Sequence, residues 1–175
     1  GKMYYIRKLS KPNTVNKLKY MPNIGNTPAD LLKQEWPTKG NTLSFWKCES
    51  LDNIVDTIKA ILLSTTGIEK SRFIILDDDM LDKYSIERDF SKKGKTGYLG
   101  FEELHVDFCN LTYEKIGGII MLTKESLSME KRVVDLSRDT VKEYIKEVCD
   151  AKLINIEEIN EDLLKDIKKY KLLIA

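Results

Sequence analysis

The chain of 175 residues has few of the residues on which many metal and redox sites are built. It contains one histidine, three cysteines and two tryptophans. The cysteines, Cys48, Cys109 and Cys149, lie far apart. One histidine and three scattered thiols do not make a persuasive four-ligand zinc site. We therefore expect no metal site and no cofactor. Because the cysteines are odd in number, we expect reduced thiols in a reducing compartment.

Long apolar runs are absent too. The longest uncharged apolar stretches cover residues 60–68 and 116–123, and a membrane span needs ~18 or more such residues. Four lysines, at positions 8, 11, 17 and 19, precede any apolar stretch, which is unlike a signal peptide. We expect a cytoplasmic protein that does not contact a membrane.

The composition is that of a folded domain, with 42% hydrophobic and 33% charged residues. The net charge is only +1, but residues 3–49 carry eight basic and three acidic side chains. Aromatic residues lie among these lysines: Tyr4, Tyr5, Tyr20, Trp36 and Trp46. Such interleaving suits single-stranded nucleic acid, whose bases stack on aromatic rings. It suits equally a protein interface, where tryptophan and tyrosine are common anchors.

Residue patterning predicts an α+β fold or a small α/β fold. Alternating or continuous apolar residues predict strands over 3–9, 42–48, 71–76 and 131–136. Capping residues and helical spacing predict helices over 28–35, 50–67, 101–122, 137–149 and 160–170. We expect a mixed sheet with helices packed on it, in which residues 42–76 form a parallel crossover. Residues 10–26 are expected to be a loop.

The predicted organisation is an α/β core over residues 3–123 and a mainly helical C-terminal part over 124–175 that packs on the core. In this second part a helix is followed by the strand-like KRVVDL, a helix capped by Ser137 and the segment KLIN. That order resembles a winged-helix arrangement.

Three consecutive aspartates, at positions 77–79, follow the buried strand over 71–76. Carboxylates at the end of a strand are hard oxygen ligands of the kind that Mg²⁺ prefers. They are also good helix caps, and the capping role is the simpler interpretation. Asp77 and Asp79 are therefore candidate catalytic residues, and no metal site is assigned to them.

His105 is the one residue that offers a histidine general base. On the helix predicted over 101–122, Glu102 and Cys109 share its face, which makes Glu102 and His105 candidate catalytic residues. Asp107 or Glu103 is an alternative partner for the imidazole.

A glycine- and lysine-rich loop over 91–100 is expected to be mobile and to become ordered on a phosphate or an acidic partner. Its segment Gly94-Lys95-Thr96 lacks the first glycine of a phosphate-binding P-loop. The candidate binding residues are three lysines of this loop and four residues of the N-terminal region: Lys92, Lys93, Lys95, Arg7, Lys8, Trp36 and Trp46.

Arg7 on the first strand, Ser44 on the second, and Glu102 or Glu103 after the loop form a further pattern. This order resembles that of ADP-ribosyltransferases. The resemblance implies that Arg7 holds a dinucleotide and that one of the glutamates polarises its ribose.

The leading functional hypothesis is a non-enzymatic interaction module. We expect it to act within a larger assembly, such as a bacterial phage-defence or counter-defence system, and to bind a protein or itself through Trp36 and Trp46. The alternatives are an enzyme directed at nucleotides or nucleic acid, by metal-dependent phosphoryl transfer or ADP-ribosyltransferase-like chemistry, and a nucleic-acid-binding protein.

Overall fold

A computed structural model describes residues 2–11 and 16–173, and within these ranges six strands form one sheet. The strands are β1 (Tyr4–Leu9), β2 (Leu43–Cys48), β3 (Ser71–Asp77), β4 (Glu87–Asp89), β5 (His105–Cys109) and β6 (Val133–Leu136). The helices are α1 (Ala29–Glu35), α2 (Ile54–Leu62), α3 (Asp78–Asp82), α4 (Tyr113–Leu127), α5 (Arg138–Asp150) and α6 (Glu161–Lys169). The α+β class is confirmed. Of the predicted loop over 10–26, residues 12–15 lie outside the described ranges.

The strand order is β4-β5-β2-β1-β3-β6, and every neighbouring pair is antiparallel. The sheet is therefore antiparallel where the sequence predicted a mixed one. The crossover from β2 through α2 to β3 does join two strands that run in the same direction. These strands are not neighbours, because β1 lies between them and pairs with both.

Helices cover both faces of the sheet, so the molecule has three layers. On the first face, strand residues such as Tyr5, Phe45 and Phe108 pack with α1, α3 and α4. On the second face, Ile6 and Phe73 pack with α2, α5 and α6. Each central strand contributes side chains to both cores, because successive residues of a strand point to opposite faces of the sheet.

The helix predicted over 101–122 is wrong in its first half. Residues 105–109 form β5, which pairs with β2 and β4, and the helix begins only at Tyr113. Four of the five β5 residues are buried. The five residues of β5, HVDFC, alternate polar and apolar side chains, but the strand is short and its apolar residues also match the helical spacing of the residues that follow. The short strand β4, with the sequence ERD, has no apolar signal and was not predicted.

The predicted helix cap at Ser137 is confirmed. The Ser137 hydroxyl accepts a hydrogen bond from the Thr140 amide at 3.1 Å, and the Asn160 side chain accepts one from the Asp162 amide at 2.9 Å. The predicted boundary between residues 123 and 124 falls within α4, and β6, which follows it, belongs to the same sheet. Among the described residues, no helix has both the length and the apolar character that crossing a bilayer requires.

Candidate functional site: a polar cleft between β1 and β2

The two central strands β1 and β2 pair along only half of their length. Their register pairs run from Tyr4 with Cys48 to Ile6 with Trp46. Beyond this point β1 continues against β3, and β2 continues against β5. The gap opens into a cavity of about 260 Å³, the β1–β2 cleft, lined by Arg7, Lys8, Ser10, Ser44, Trp46, Ile61, Ser64 and Thr65.

Arg7 bridges the gap between the strands. Its Nη1 donates a hydrogen bond to the Ser44 carbonyl at 2.7 Å, and its Nη2 donates one to the Glu35 carbonyl at 2.9 Å. Its guanidinium also lies 5.7 Å from the centre of the Phe45 ring. Burial lowers the pKa of Arg7 to about 10, although the Glu35 carboxylate acts in the opposite direction. Arg7 is therefore still a cation at neutral pH.

Glu35 fixes the chain that leaves β1. Its carboxylate is buried and accepts hydrogen bonds from the amides of Ser10 at 2.6 Å and Lys11 at 3.1 Å. A buried carboxylate requires such donors, because burying a charge without hydrogen bonds is costly. Through these hydrogen bonds Glu35 and Arg7 connect the end of β1 to β2 and to the end of α1.

The chemistry of the cleft centres on Ser44, His105 and Asp107. Ser44 lies directly opposite Asp107 in the β2–β5 ladder, and His105 lies two residues before Asp107 on the same face. The Ser44 hydroxyl is 3.1 Å from Nε2 of His105 and 3.5 Å from the Asp107 carboxylate, which is itself 3.3 Å from Nε2. Ser44 is exposed, whereas His105 and Asp107 are buried. A hydroxyl open to the cleft is thus backed by a buried imidazole and a buried carboxylate.

The second ring nitrogen of His105 is fixed by the main chain. Nδ1 lies 2.9 Å from the carbonyl oxygen of Lys92. A carbonyl oxygen only accepts hydrogen bonds, so Nδ1 must carry a proton. In the neutral ring Nε2 then accepts the hydroxyl proton of Ser44, and in the imidazolium Nε2–H donates to Asp107. The site therefore provides partners for both protonation states of the imidazole.

The loop over 91–100 packs against this histidine. A β-carbon on Gly94 would lie 2.5 Å from the Trp46 ring and 2.6 Å from Cβ of His105, so this position needs glycine. The Gly94 amide donates to the Glu102 carbonyl at 2.8 Å, and the buried hydroxyl of Thr96 donates to the Ala60 carbonyl at 2.6 Å. The predicted mobile loop is therefore anchored at both points. The side chains of Lys92, Lys93 and Lys95 are exposed, and Lys93 lies 3.8 Å from Glu103.

Comparison of the chain with protein-family models, with curated proteins and with solved structures returned no match. Inference about function therefore depends on the geometry of the residues themselves.

The aspartates of 77–79 have structural partners. Asp77 caps α3 by accepting from the Met80 amide at 3.0 Å, and its second oxygen pairs with Arg132 at 2.9 Å. Asp79 is exposed and pairs with Lys2 at 2.9 Å. The end of β3 lies three strand spacings, ~14 Å, from β5, so these carboxylates do not join His105. Within the described ranges no group of three histidine, cysteine or acidic residues is arranged to hold a metal ion.

Glu102 does not pair with His105 as predicted. It lies in a 3₁₀ turn before β5, where its carboxylate accepts from the Gly100 amide at 3.1 Å. The helical face that would have joined them does not exist. The alternative partner, Asp107, is the residue that lies beside the imidazole. Of the pattern that resembles ADP-ribosyltransferases, the structure brings Arg7 and Ser44 together and leaves both glutamates at the turn.

Neither tryptophan is available as a surface anchor. Trp36 is 4% exposed in the core of the first face, and Trp46 is 7% exposed in that of the second. A partner would not reach Trp36 without rearrangement of the core, and Trp46 is accessible only where it lines the β1–β2 cleft. The pairing that sequence reasoning missed is that of Ser44 with His105, which depends on the register of two strands and joins residues 61 positions apart. The one local signal is the spacing of His105 and Asp107, which places both side chains on one face of a strand.

Proposed function

We propose that the chain is an enzyme with a serine nucleophile, in which Ser44 attacks the substrate and His105 accepts its proton. The observation that supports this most strongly is the 3.1 Å contact between the exposed Ser44 hydroxyl and Nε2 of a histidine that is oriented through its other nitrogen. A nucleophile within hydrogen-bond reach of a base, and a base held by a third group, is the arrangement that activated serine requires. The candidate catalytic residues are now Ser44, His105 and Asp107. They replace Asp77, Asp79 and Glu102.

The reaction that suits these groups is hydrolysis of an ester. Ser44 Oγ attacks the carbonyl carbon while its proton passes to Nε2 of His105. The C–O bond to the leaving alcohol then breaks, and the alcohol takes that proton. A water molecule attacks the acyl-serine with His105 again as base, which releases a carboxylic acid and restores Ser44. The Asp107 carboxylate, 3.3 Å from Nε2, stabilises the imidazolium formed in each half-reaction.

The Ser44 amide offers a donor for the developing oxyanion in the gap between the strands. The Ser44 carbonyl points toward β1, because it accepts a hydrogen bond from Arg7. The amide of the same residue points to the same side, as N–H and C=O of one residue do in a β-strand. The register pairs between β1 and β2 end before Ser44. We therefore assign the Ser44 amide as the group that stabilises the oxyanion.

Reaction with an uncharged fluorophosphonate, followed by peptide mass spectrometry, tests the nucleophile. We expect modification of Ser44, and a loss of about a hundredfold or more in its rate in His105→Gln, since general-base catalysis contributes about 10²–10⁴-fold. Ser64→Ala is the matched control, because Ser64 lines the same cleft but its hydroxyl donates to the Ile61 carbonyl at 2.6 Å. Equal modification of Ser44 and Ser64, or full reactivity in a folded His105→Gln protein, would contradict the proposal.

A second candidate function, protein binding, is favoured by an apolar groove beside α4. The groove has a volume of about 400 Å³. Tyr113, at its edge, is 91% exposed, and Ile24 and Tyr84 are also exposed. Large exposed apolar side chains grouped around a concavity are typical of interaction sites. We propose that this groove, in place of the buried tryptophans, would carry the self-association expected from the sequence.

Light scattering over a range of concentrations tests this second function. Self-association through the groove predicts that the average mass rises with concentration and that Tyr113→Glu returns the protein to the monomer. Tyr20→Glu is the control, since Tyr20 is similarly exposed and does not line the groove. A strict monomer at every concentration would contradict self-association.

A further inference from the structure

Two consecutive residues of β1 bring positive charge to the β1–β2 cleft. The Lys8 side chain is half-buried, and its Nζ lies 2.9 Å from the carboxylate of Glu69. Glu69 is 59% exposed, so this ion pair is at the rim. An exposed pair of this kind contributes little stability, so a ligand with a stronger interaction displaces the carboxylate readily.

The second cation, Arg7, has no carboxylate among its hydrogen-bond acceptors in the described part of the chain. Its two terminal nitrogens donate to main-chain carbonyls of Ser44 and Glu35. The Glu35 carboxylate, which is 1% exposed, is engaged by the amides of Ser10 and Lys11. A guanidinium has five N–H donors in a planar fork, so Arg7 retains donors beyond these two bonds. A half-buried cation bound to neutral oxygens is stabilised further by an anion.

Charged and hydroxyl-bearing residues thus line a small cavity. The cavity of about 260 Å³ is slightly smaller than ligand pockets usually are, ~300–1,000 Å³. Ser10 and Ser44 line the same cavity as Lys8 and Arg7. This combination of two cations and hydroxyl donors suits a tetrahedral anion with several acceptor oxygens.

We propose that the β1–β2 cleft holds the phosphate group of a phosphorylated small molecule, through Lys8 and Arg7. The inference deepens the proposed function and rests on it: the substrate of Ser44 is then a short acyl ester that carries a phosphate monoester. The phosphate is the group by which the substrate is held, and the ester carbonyl is the group that reacts. The size of the cleft leaves room for a phosphate and a short carbon chain beside Ser44. A base of a nucleotide would lie outside it.

Calorimetric titration with inorganic phosphate and with phenyl phosphate tests the subsite. We expect both to bind the wild-type protein, and binding to weaken about tenfold or more in Lys8→Gln, because the variant loses a charge-assisted hydrogen bond to the phosphate. Glu69→Gln should act in the opposite direction and tighten binding about two- to fivefold, since it frees Lys8 from a weak surface pair. Lys39→Gln is the control, because Lys39 is exposed and outside the cleft.

The titration and the fluorophosphonate reaction separate the two proposals. Phosphate should also slow modification of Ser44 in the wild-type protein, since both occupy the cleft. The same phosphate affinity in wild type, Lys8→Gln and Lys39→Gln would overturn the subsite, whether or not Ser44 reacts. Phosphate binding that depends on Lys8, in a wild-type protein whose Ser44 does not react, would overturn the nucleophile and leave the subsite in place.

Discussion

The carbonyl oxygen of Lys92 lies 2.9 Å from Nδ1 of His105. The loop over 91–100 thus contributes its backbone to the site, whereas the lysine side chains expected to bind there are exposed. A backbone carbonyl can fix the orientation of a side chain when the loop that carries the carbonyl is itself packed. The proton on Nδ1, and with it the accepting role of Nε2 toward Ser44, depends on this one carbonyl.

The packing of this loop on His105 predicts the effect of Gly94→Ala. The added methyl group would overlap the Trp46 ring and Cβ of His105, and overpacking of a core contact typically costs about 1–3 kcal/mol. We expect the free energy of unfolding, measured with urea, to fall by that amount and the reaction of Ser44 to slow. Lys95→Ala, at an exposed position of the same loop, should change the free energy by less than ~0.5 kcal/mol. Equal stabilities would show that the loop does not pack as described.

The buried carboxylate of Glu35 predicts a stability loss in Glu35→Gln. The amide retains the shape but has one acceptor oxygen for the two amides of Ser10 and Lys11, and it removes the negative charge near Arg7. We expect unfolding to become easier by about 1–3 kcal/mol, the cost of leaving a buried polar group unpaired. Glu69→Gln breaks only a rim ion pair and should cost under ~1 kcal/mol. Similar losses in the two variants would contradict a structural role for Glu35.

The ionisation of Asp78 makes the free energy of unfolding depend on pH in the acidic range. Burial alone would raise the pKa of its carboxyl, but hydrogen bonds from the Tyr5 hydroxyl at 2.6 Å and the Met3 amide at 3.0 Å, together with Arg88, lower that pKa overall. A pKa below the unfolded value, ~3.9, means that the ionised carboxylate stabilises the fold. This stabilisation is present above about pH 4 and is lost as pH falls through the lower folded pKa.

Urea unfolding between about pH 2 and pH 7 measures this contribution. The stability difference between wild type and Asp78→Asn should be constant near neutrality and should shrink in acid. Asp79→Asn, at a position that is 73% exposed, should show a small difference at every pH. A difference for Asp78→Asn that does not change with pH would contradict the ionised carboxylate as its cause.

Amide exchange distinguishes an anchored loop from a mobile one. The amides of Gly94, Gly97 and Leu99 donate to the carbonyls of Glu102, Leu63 and Leu153 at 2.8–2.9 Å. These three amides should exchange slowly in the free protein. The amides of Lys93 and Lys95, which have no backbone acceptor within the described residues, should exchange fast. Fast exchange at all five positions would contradict the anchored loop and would support the mobile loop predicted from the sequence.

Local rules account for the parts of the fold that the sequence predicts well. Ser137 and Asn160 cap helices where a capping residue precedes an amphipathic pattern, and β1, β2 and β3 have apolar runs of strand length. The failures are non-local. Whether β5 is a strand depends on β2 and β4 as neighbours, and whether Trp36 is exposed depends on helices that pack from elsewhere in the chain.

The site was predictable only in part for the same reason. His105 and Asp107 are close in sequence, and their pairing was among the alternatives for the imidazole. Ser44 joins them through strand register, and the Lys92 carbonyl joins them through a loop whose glycine and lysine content suggested mobility. Rules based on composition or residue spacing do not predict which main-chain carbonyl will contact a given side chain.

The walls of the β1–β2 cleft are each held from the outside. β1 pairs with β3 from Tyr4 to Leu9, and β2 pairs with β5 from Leu43 to Trp46. The separation between β1 and β2 is therefore part of the folded sheet and is present without a ligand. The conformational entropy of ordering the cleft is lost when the chain folds, so a molecule that enters meets groups already in place, and little of its interaction energy is offset by rearrangement of the protein.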